Sequence, residues 1–132
     1  MKTFSSLSGI FFRSDRTSRN EVIQFQSRTG QGIAIFKLAG HLALDSARSI
    51  EETIEEFLRS GDRKFILDMI DVRDISSSVI GKLLEMYRKI QSKSGALALA
   101  DLSPVCLYVL DLAGMMDFFP IFSSVEEAAL SI

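Results

Sequence analysis

Three consecutive serines, Ser76-Ser77-Ser78, are the residues in this sequence whose chemistry is most evident. They follow an acidic stretch that contains Asp71 and Asp74, and they precede an apolar helical pattern that includes Ile80. Because a serine hydroxyl accepts hydrogen bonds from free backbone N–H groups, any of the three can cap the helix. A phosphate there would instead add about −1.5 to −2 charges at neutral pH, next to a helix N-terminus that tolerates anions. The pattern leaves two interpretations, a helix cap and a phosphorylation switch that repels a docked partner.

Three acids, Asp68, Asp71 and Asp74, recur at intervals of three at the end of a predicted strand. Open α/β sheets bind ligands at the carboxyl ends of their strands. The acids therefore fit a cation site, an acidic rim for a basic partner, or hydrated residues of a turn.

Catalytic and metal-dependent functions find little support in the sequence. There is one histidine, His41, and one cysteine, Cys106, and a metal site needs several such donors at set spacings. A serine hydrolase would need His41 as its base, and Ser77 lacks the leading glycine of a Gly-x-Ser-x-Gly elbow. We expect no catalytic residues, no metal and no cofactor.

The elements that must position the serines alternate between strand and helix. A continuous apolar strand at 63–69 precedes a turn at 71–74, and a helix follows from Ser77 to Ser92. The other predicted elements are a hairpin of strands 21–26 and 33–39, a helix capped by Asp45 or Ser46, a strand at 96–100, a helix capped by Ser103 with Pro104 in its first turn, a strand at 120–122 and a last helix capped by Ser123 or Ser124. The order β-β-α-β-α-β-α-β-α predicts an α/β fold, with helices packed on a mixed, mostly parallel sheet.

Composition limits the possible partners. The net charge of −2 gives no general attraction to nucleic acid, and no apolar run reaches the roughly 18 residues that membrane insertion requires. The lone cysteine and the lack of a clear signal peptide favour the cytoplasm. Residues 1–20, rich in Ser, Thr and Arg, are predicted to be an N-terminal extension that is mobile at least in part, and 21–132 to be one domain. Whether Met115, Met116, Phe118 and Phe119 are core or an exposed contact stays open.

The strand, turn and serine cluster resemble a known family. Residues 71–81, with Ser77, Ser78 and Gly81, are similar to the Asp-Ser-Ser-Gly-Leu-Gly signature of the anti-sigma factor antagonists, the bacterial STAS domains. Gly40-His41-Leu42 resembles the family's Gly-Glu-Leu-Asp turn. The resemblance covers about residues 21–132 and implies a STAS-like domain.

The resemblance also implies a function. In the family, the domain binds an anti-sigma factor that is a serine kinase, is released when that kinase phosphorylates it, and is reset by a PP2C-type phosphatase. Aligned on Gly81, Ser77 takes the phosphorylated position, with Ser78 and Ser76 as alternatives. The residues that the resemblance assigns to partner binding are Gly40, His41, Leu42, Asp74, Ile75, Ser76, Ser78, Val79, Gly81 and Lys82.

The sequence departs from the family pattern at three positions. Ser76 and Ala43 stand where the family usually has Asp, and Val79 stands where it usually has Gly. These departures favour an alternative function, a STAS scaffold that is not phosphorylated or a small-ligand sensory module in a larger signalling complex.

Overall fold

The structure, a computed structural model, describes residues 22–132. The predicted extension at residues 1–20 lies outside the described residues. The elements are β1 (Ile23–Arg28), β2 (Ile33–Leu42), α1 (Leu44–Arg59), β3 (Lys64–Ile75), α2 (Ser77–Ser92), β4 (Ala96–Ala100), α3 (Pro104–Leu112), a 3₁₀ turn (Met116–Phe118), β5 (Ile121–Phe122) and α4 (Val125–Ser131).

The five strands form one sheet in the order β1-β2-β3-β4-β5. β1 pairs with β2 in antiparallel orientation, as the glycine-containing turn between them predicts. The other three pairings are parallel, and each is made across an intervening helix. The predicted mixed, mostly parallel α/β fold and its element order are confirmed.

The two faces of the sheet bury different amounts of apolar surface. Alternate residues of β2 and β4, such as Phe36 and Leu99, join one large cluster with side chains of α1, α2 and α3. The residues between them, including Ala98 and Ala100, form a smaller cluster with Ala128 of α4. Small alanine side chains on β4 leave room for Ala128 of α4 to pack against this face of the sheet.

Two strands are longer than the sequence predicts. β2 continues through Gly40–Leu42, where a turn was expected, and ends at Leu42. β3 continues through Asp71–Asp74, where a turn was expected, and ends at Ile75. Val72 and Ile75 are 2% and 3% exposed, so this segment still contributes to the core. Its pairing with β2 contains two register shifts, and these bulges accommodate residues that break strict alternation. The prediction of a turn at 71–74 is wrong, because long-range pairing with β2 outweighs the preference of this polar local sequence for a turn.

The helix caps agree with prediction at three of the four helices. Ser76, Ser103 and Ser124 accept hydrogen bonds from Val79, Cys106 and Glu127 N–H respectively. The prediction of Asp45 or Ser46 as the cap of α1 is wrong, since the N-cap position is Ala43. The Ser46 hydroxyl instead accepts from Ala43 N–H at 3.1 Å and donates to His41 O at 3.4 Å, which ties the end of β2 to α1.

The segment after α3 divides between core and surface. Phe119 is buried at 6% exposure, and Met115 and Met116 pack partly buried against the large cluster. Phe118 is 47% exposed. Phe119 therefore belongs to the core, Met115 and Met116 to its edge, and Phe118 to the surface.

Candidate functional site

The ends of β2 and β3 bring the two predicted partner-binding segments together. Parallel pairing places His41 opposite Asp74 and Leu42 opposite Ile75. Ser76 N–H donates to Leu42 O at 2.9 Å, so the contact continues to the start of α2. The Gly40–Leu42 segment and the serine cluster, more than thirty residues apart in sequence, therefore form one surface at the carboxyl edge of the sheet.

The three serines occupy three different environments. Ser76 is partly buried and caps α2, with 3.4 Å between its Oγ and Val79 N. Ser78 is exposed, and its hydroxyl shares a hydrogen bond of 2.9 Å with that of Ser76. Ser77 is the first residue of α2 and is exposed. Among residues 22–132 its hydroxyl has no hydrogen-bond partner.

Three of the predicted partner-binding residues cannot offer their side chains to a partner. Leu42, Ile75 and Val79 are 1%, 3% and 0% exposed and belong to the large core cluster. They hold the end of β2, the end of β3 and the first turn of α2 against each other. Val79 fills core space, so its side chain does not reach the surface that the serines present.

The remaining predicted residues lie at or near the surface. Gly40 has a φ of +87°, which side chains rarely adopt, so glycine is required for the backbone here. His41 and Asp74 are both exposed, with 3.8 Å between His41 Nδ1 and Asp74 Oδ2. Gly81 is exposed on α2.

Lys82 is partly buried and pairs with Glu51 of α1 at 3.3 Å and with Glu85 at 2.8 Å. The hydrogen bonds that Lys82 donates to Glu85 and Glu51 raise the pKa of its ammonium group.

The three acids of β3 do not converge on a common point. Lys37 Nζ of β2 donates a hydrogen bond to Asp71 Oδ2 at 3.1 Å and lies 4.0 Å from Asp68 Oδ2. Both acids raise the pKa of Lys37. Asp74 faces His41 instead. Within residues 22–132 no group of three or more His, Cys, Asp or Glu is arranged to hold a metal ion. The geometry supports ion-paired strand acids and gives no support to the cation-site alternative.

Sequence reasoning missed Leu44. This first residue of α1 is 71% exposed and lies two positions after Leu42 at the same edge of the sheet. No sequence signal marks it as exposed, because Leu44 lies three positions before Ala47, a spacing that would continue the apolar stripe of Ala47, Ile50, Ile54 and Leu58. The misplaced helix cap assigned Leu44 to a loop and hid this feature.

Comparisons with known proteins agree with this fold. The model of the STAS domain family matches residues 24–128. The anti-sigma F factor antagonist of Paenibacillus polymyxa is 24% identical over 107 residues, which cover 80% of this chain and 92% of that protein. The anti-sigma factor antagonist SpoIIAA in its unphosphorylated form superposes with a TM-score of 0.68 at 21% identity, covering 81% of this chain and 92% of that chain. The phosphorylated form of the Bacillus SpoIIAA gives 0.62 at 20% identity, covering 81% and 96%.

The fold and the match together define the class. The chain belongs to the STAS domain family, and the resemblance to the anti-sigma factor antagonists is confirmed. In the part of the chain that the structure describes, no helix is long and apolar enough to span a bilayer.

Proposed function

We propose that this chain is an anti-sigma factor antagonist-like signalling module. It binds an anti-sigma factor that is also a serine kinase, and phosphorylation at Ser77 switches that binding off. Transcription is regulated indirectly, through the sigma factor that the bound partner no longer holds. A PP2C-type phosphatase removes the phosphate, and the exchange takes place in the cytoplasm.

One observation carries the choice of Ser77. Of the three adjacent hydroxyls, those of Ser76 and Ser78 are bonded to each other, and Ser76 also caps α2. Ser77 is exposed, and its hydroxyl makes no hydrogen bond in the described part of the chain. A kinase can reach its hydroxyl without breaking a hydrogen bond that stabilises the domain.

The position of Ser77 also explains how a phosphate would act. The N–H groups of a helix's first turn lack intrahelical partners and lie at the positive end of the helix dipole, so the domain tolerates the anion. Asp74, three residues upstream, is two-thirds exposed, and its carboxylate would add to the negative charge. A partner packed over this surface would have to desolvate both charges, which weakens binding without unfolding the domain.

We include two features in the partner surface. The exposed Leu44 supplies an apolar contact beside Gly40 and His41. The exposed His41–Asp74 pair supplies a polar rim. Leu42, Ile75 and Val79 act from the core by fixing the backbone beneath that surface.

The test is phosphorylation by a cognate serine kinase of the anti-sigma factor type. Intact-mass measurement after incubation with kinase and ATP should show one added phosphate. Ser77→Ala should abolish it, whereas the matched variant Ser78→Ala, also at an exposed serine, should keep it. Phosphate on another residue, or none with the unmodified chain, would contradict the site assignment.

The second candidate is a STAS scaffold that is not phosphorylated. It is supported by the departure from the family pattern at Ser76, where the family usually has an acid. The Ser76 hydroxyl is hydrogen-bonded to Ser78 instead. A pull-down that recovers other STAS proteins and no kinase would favour this candidate over the switch.

A further inference from the structure

Helix α3 has a composition that does not match its burial. Its nine residues include one charged side chain, Asp111, and a helix apolar on all sides is expected to be buried. Only Cys106 and Leu110 are buried. Leu107, Tyr108 and Leu112 are 46%, 66% and 73% exposed.

These three side chains lie on the exposed side of the helix, and we call them the α3 strip. Tyr108 and Leu112 are four residues apart and therefore neighbours on the helix surface, whereas Leu107 lies in the adjacent row, four residues before Asp111. Large apolar side chains scattered singly over a surface need no explanation, but a contiguous group indicates a contact site. Tyrosine with flanking leucines also suits a protein interface, because tyrosine buries a large ring while its hydroxyl stays hydrated.

The chain segment that contains the α3 strip carries charged side chains of one sign only. From Ser94 to Ile132 the chain contains no Lys, Arg or His. The acids in this stretch are Asp101, Asp111, Asp117, Glu126 and Glu127. Asp111 lies within the exposed face of α3 itself, and Asp117 is exposed in the turn that follows.

This charge decides among possible occupants. A second copy of the chain packed strip to strip would place two Asp111 carboxylates in one interface, where like charges repel. An anionic membrane surface would repel the same acids. An apolar helix face flanked by Lys or Arg complements both the leucines and the carboxylates.

We propose that the α3 strip is a docking site for a basic amphipathic helix of another protein. Leu107, Tyr108 and Leu112 contact the apolar face of that helix, and Asp111 pairs with its Lys or Arg side chains. The proposal stands on α3 alone and does not depend on phosphorylation of Ser77.

The experiment uses the full chain and two synthetic helical peptides with the same leucine stripe, one carrying Lys on its flanks and the other Glu. Fluorescence anisotropy should show binding of the Lys peptide only, weakened by added salt. The double variant Leu107→Ser/Leu112→Ser should weaken binding about tenfold or more, as expected on losing central apolar contacts. The matched variant Leu130→Ser removes a leucine that is 90% exposed on α4 and should bind like the unmodified chain.

Several outcomes would overturn the proposal. Equal binding of both peptides, binding of neither, or equal losses in the double variant and in Leu130→Ser would each do so. Sedimentation showing a dimer that the double variant dissolves would assign the α3 strip to a second copy instead. Binding to phosphatidylserine vesicles that the double variant abolishes would assign it to a membrane. Because the substituted side chains are exposed, unchanged unfolding midpoints should accompany these measurements.

Discussion

At the scale of single residues, identical side chains acquire different roles from their hydrogen bonds. Ser76, Ser77 and Ser78 are chemically equivalent in the sequence, and any of them could cap a helix. In the structure Ser76 caps α2, and the Ser78 hydroxyl is hydrogen-bonded to that of Ser76. These hydrogen bonds depend on where β3 ends and α2 begins. The residue types therefore identify the serine cluster, but they do not show which serine caps the helix and which keeps a free hydroxyl.

The cap at Ser76 leads to a stability prediction. Ser76→Ala should lower the free energy of unfolding by about 0.5–1 kcal/mol, toward the small end of the usual range because the cap bond is 3.4 Å long. Ser76→Asp should restore that loss, since a carboxylate accepts the same N–H and interacts favourably with the helix dipole. Urea unfolding followed by circular dichroism measures both. An Ala variant as stable as the unmodified chain would show that the cap contributes nothing.

At the scale of elements, local sequence features predict the bounds of α2, whereas they do not predict long-range strand pairing. Helix α2 was predicted from Ser77 to Ser92 and has those bounds, because its cap and apolar spacing are local features. The carboxyl end of β3 was predicted as a turn because Asp71 and Asp74 are poor strand formers. The segment is a strand because it pairs with β2 across register shifts. No residue spacing within the segment predicts that it pairs with β2.

The turn between α2 and β4 gives a prediction about close packing. A Cβ on Gly95 would lie 2.2 Å from Arg63 O and 2.7 Å from Ile90 Cγ2, and the first of these is backbone. Gly95→Ala should therefore destabilise the domain by about 1–3 kcal/mol, as overpacked positions do. Gly30→Ala is the matched control, because a Cβ there meets nothing within 4 Å. Its unfolding midpoint should stay close to that of the unmodified chain, and equal losses in both variants would contradict the steric explanation.

At the scale of the whole molecule, the pattern of alternating strands and helices was sufficient to predict the architecture. Apolar residues on both faces of β3 and β4 require cover on both faces, which a mixed α/β sheet provides. The composition could not show that this cover is unequal, or that α3 would keep Leu107, Tyr108 and Leu112 at the surface. Those features depend on how each helix is rotated against the sheet, and the nearly all-apolar sequence of α3 leaves that rotation undetermined.

The stability of the whole molecule should decrease in acid through the ion pair that joins α1 to α2. The hydrogen bond from Lys89 lowers the pKa of Glu55 below its ordinary value of 4.5. The folded state therefore binds this proton less readily than the unfolded state, so the stabilisation is complete above about pH 4.5 and is lost as pH falls through the lowered pKa. Urea midpoints measured from neutral pH downward should fall less steeply for Glu55→Gln than for the unmodified chain.

Glu52→Gln is the control for this pH dependence. Glu52 is exposed on the same helix and has no ion-pair partner among residues 22–132. Its removal changes the charge of α1 as Glu55→Gln does, but it leaves the link to α2 intact, so its acid slope should match that of the unmodified chain. Because Lys89 and Glu55 are partly exposed, added salt should also reduce the difference between the two variants. Identical slopes for all three proteins at low salt would show that the pair between α1 and α2 does not contribute to stability.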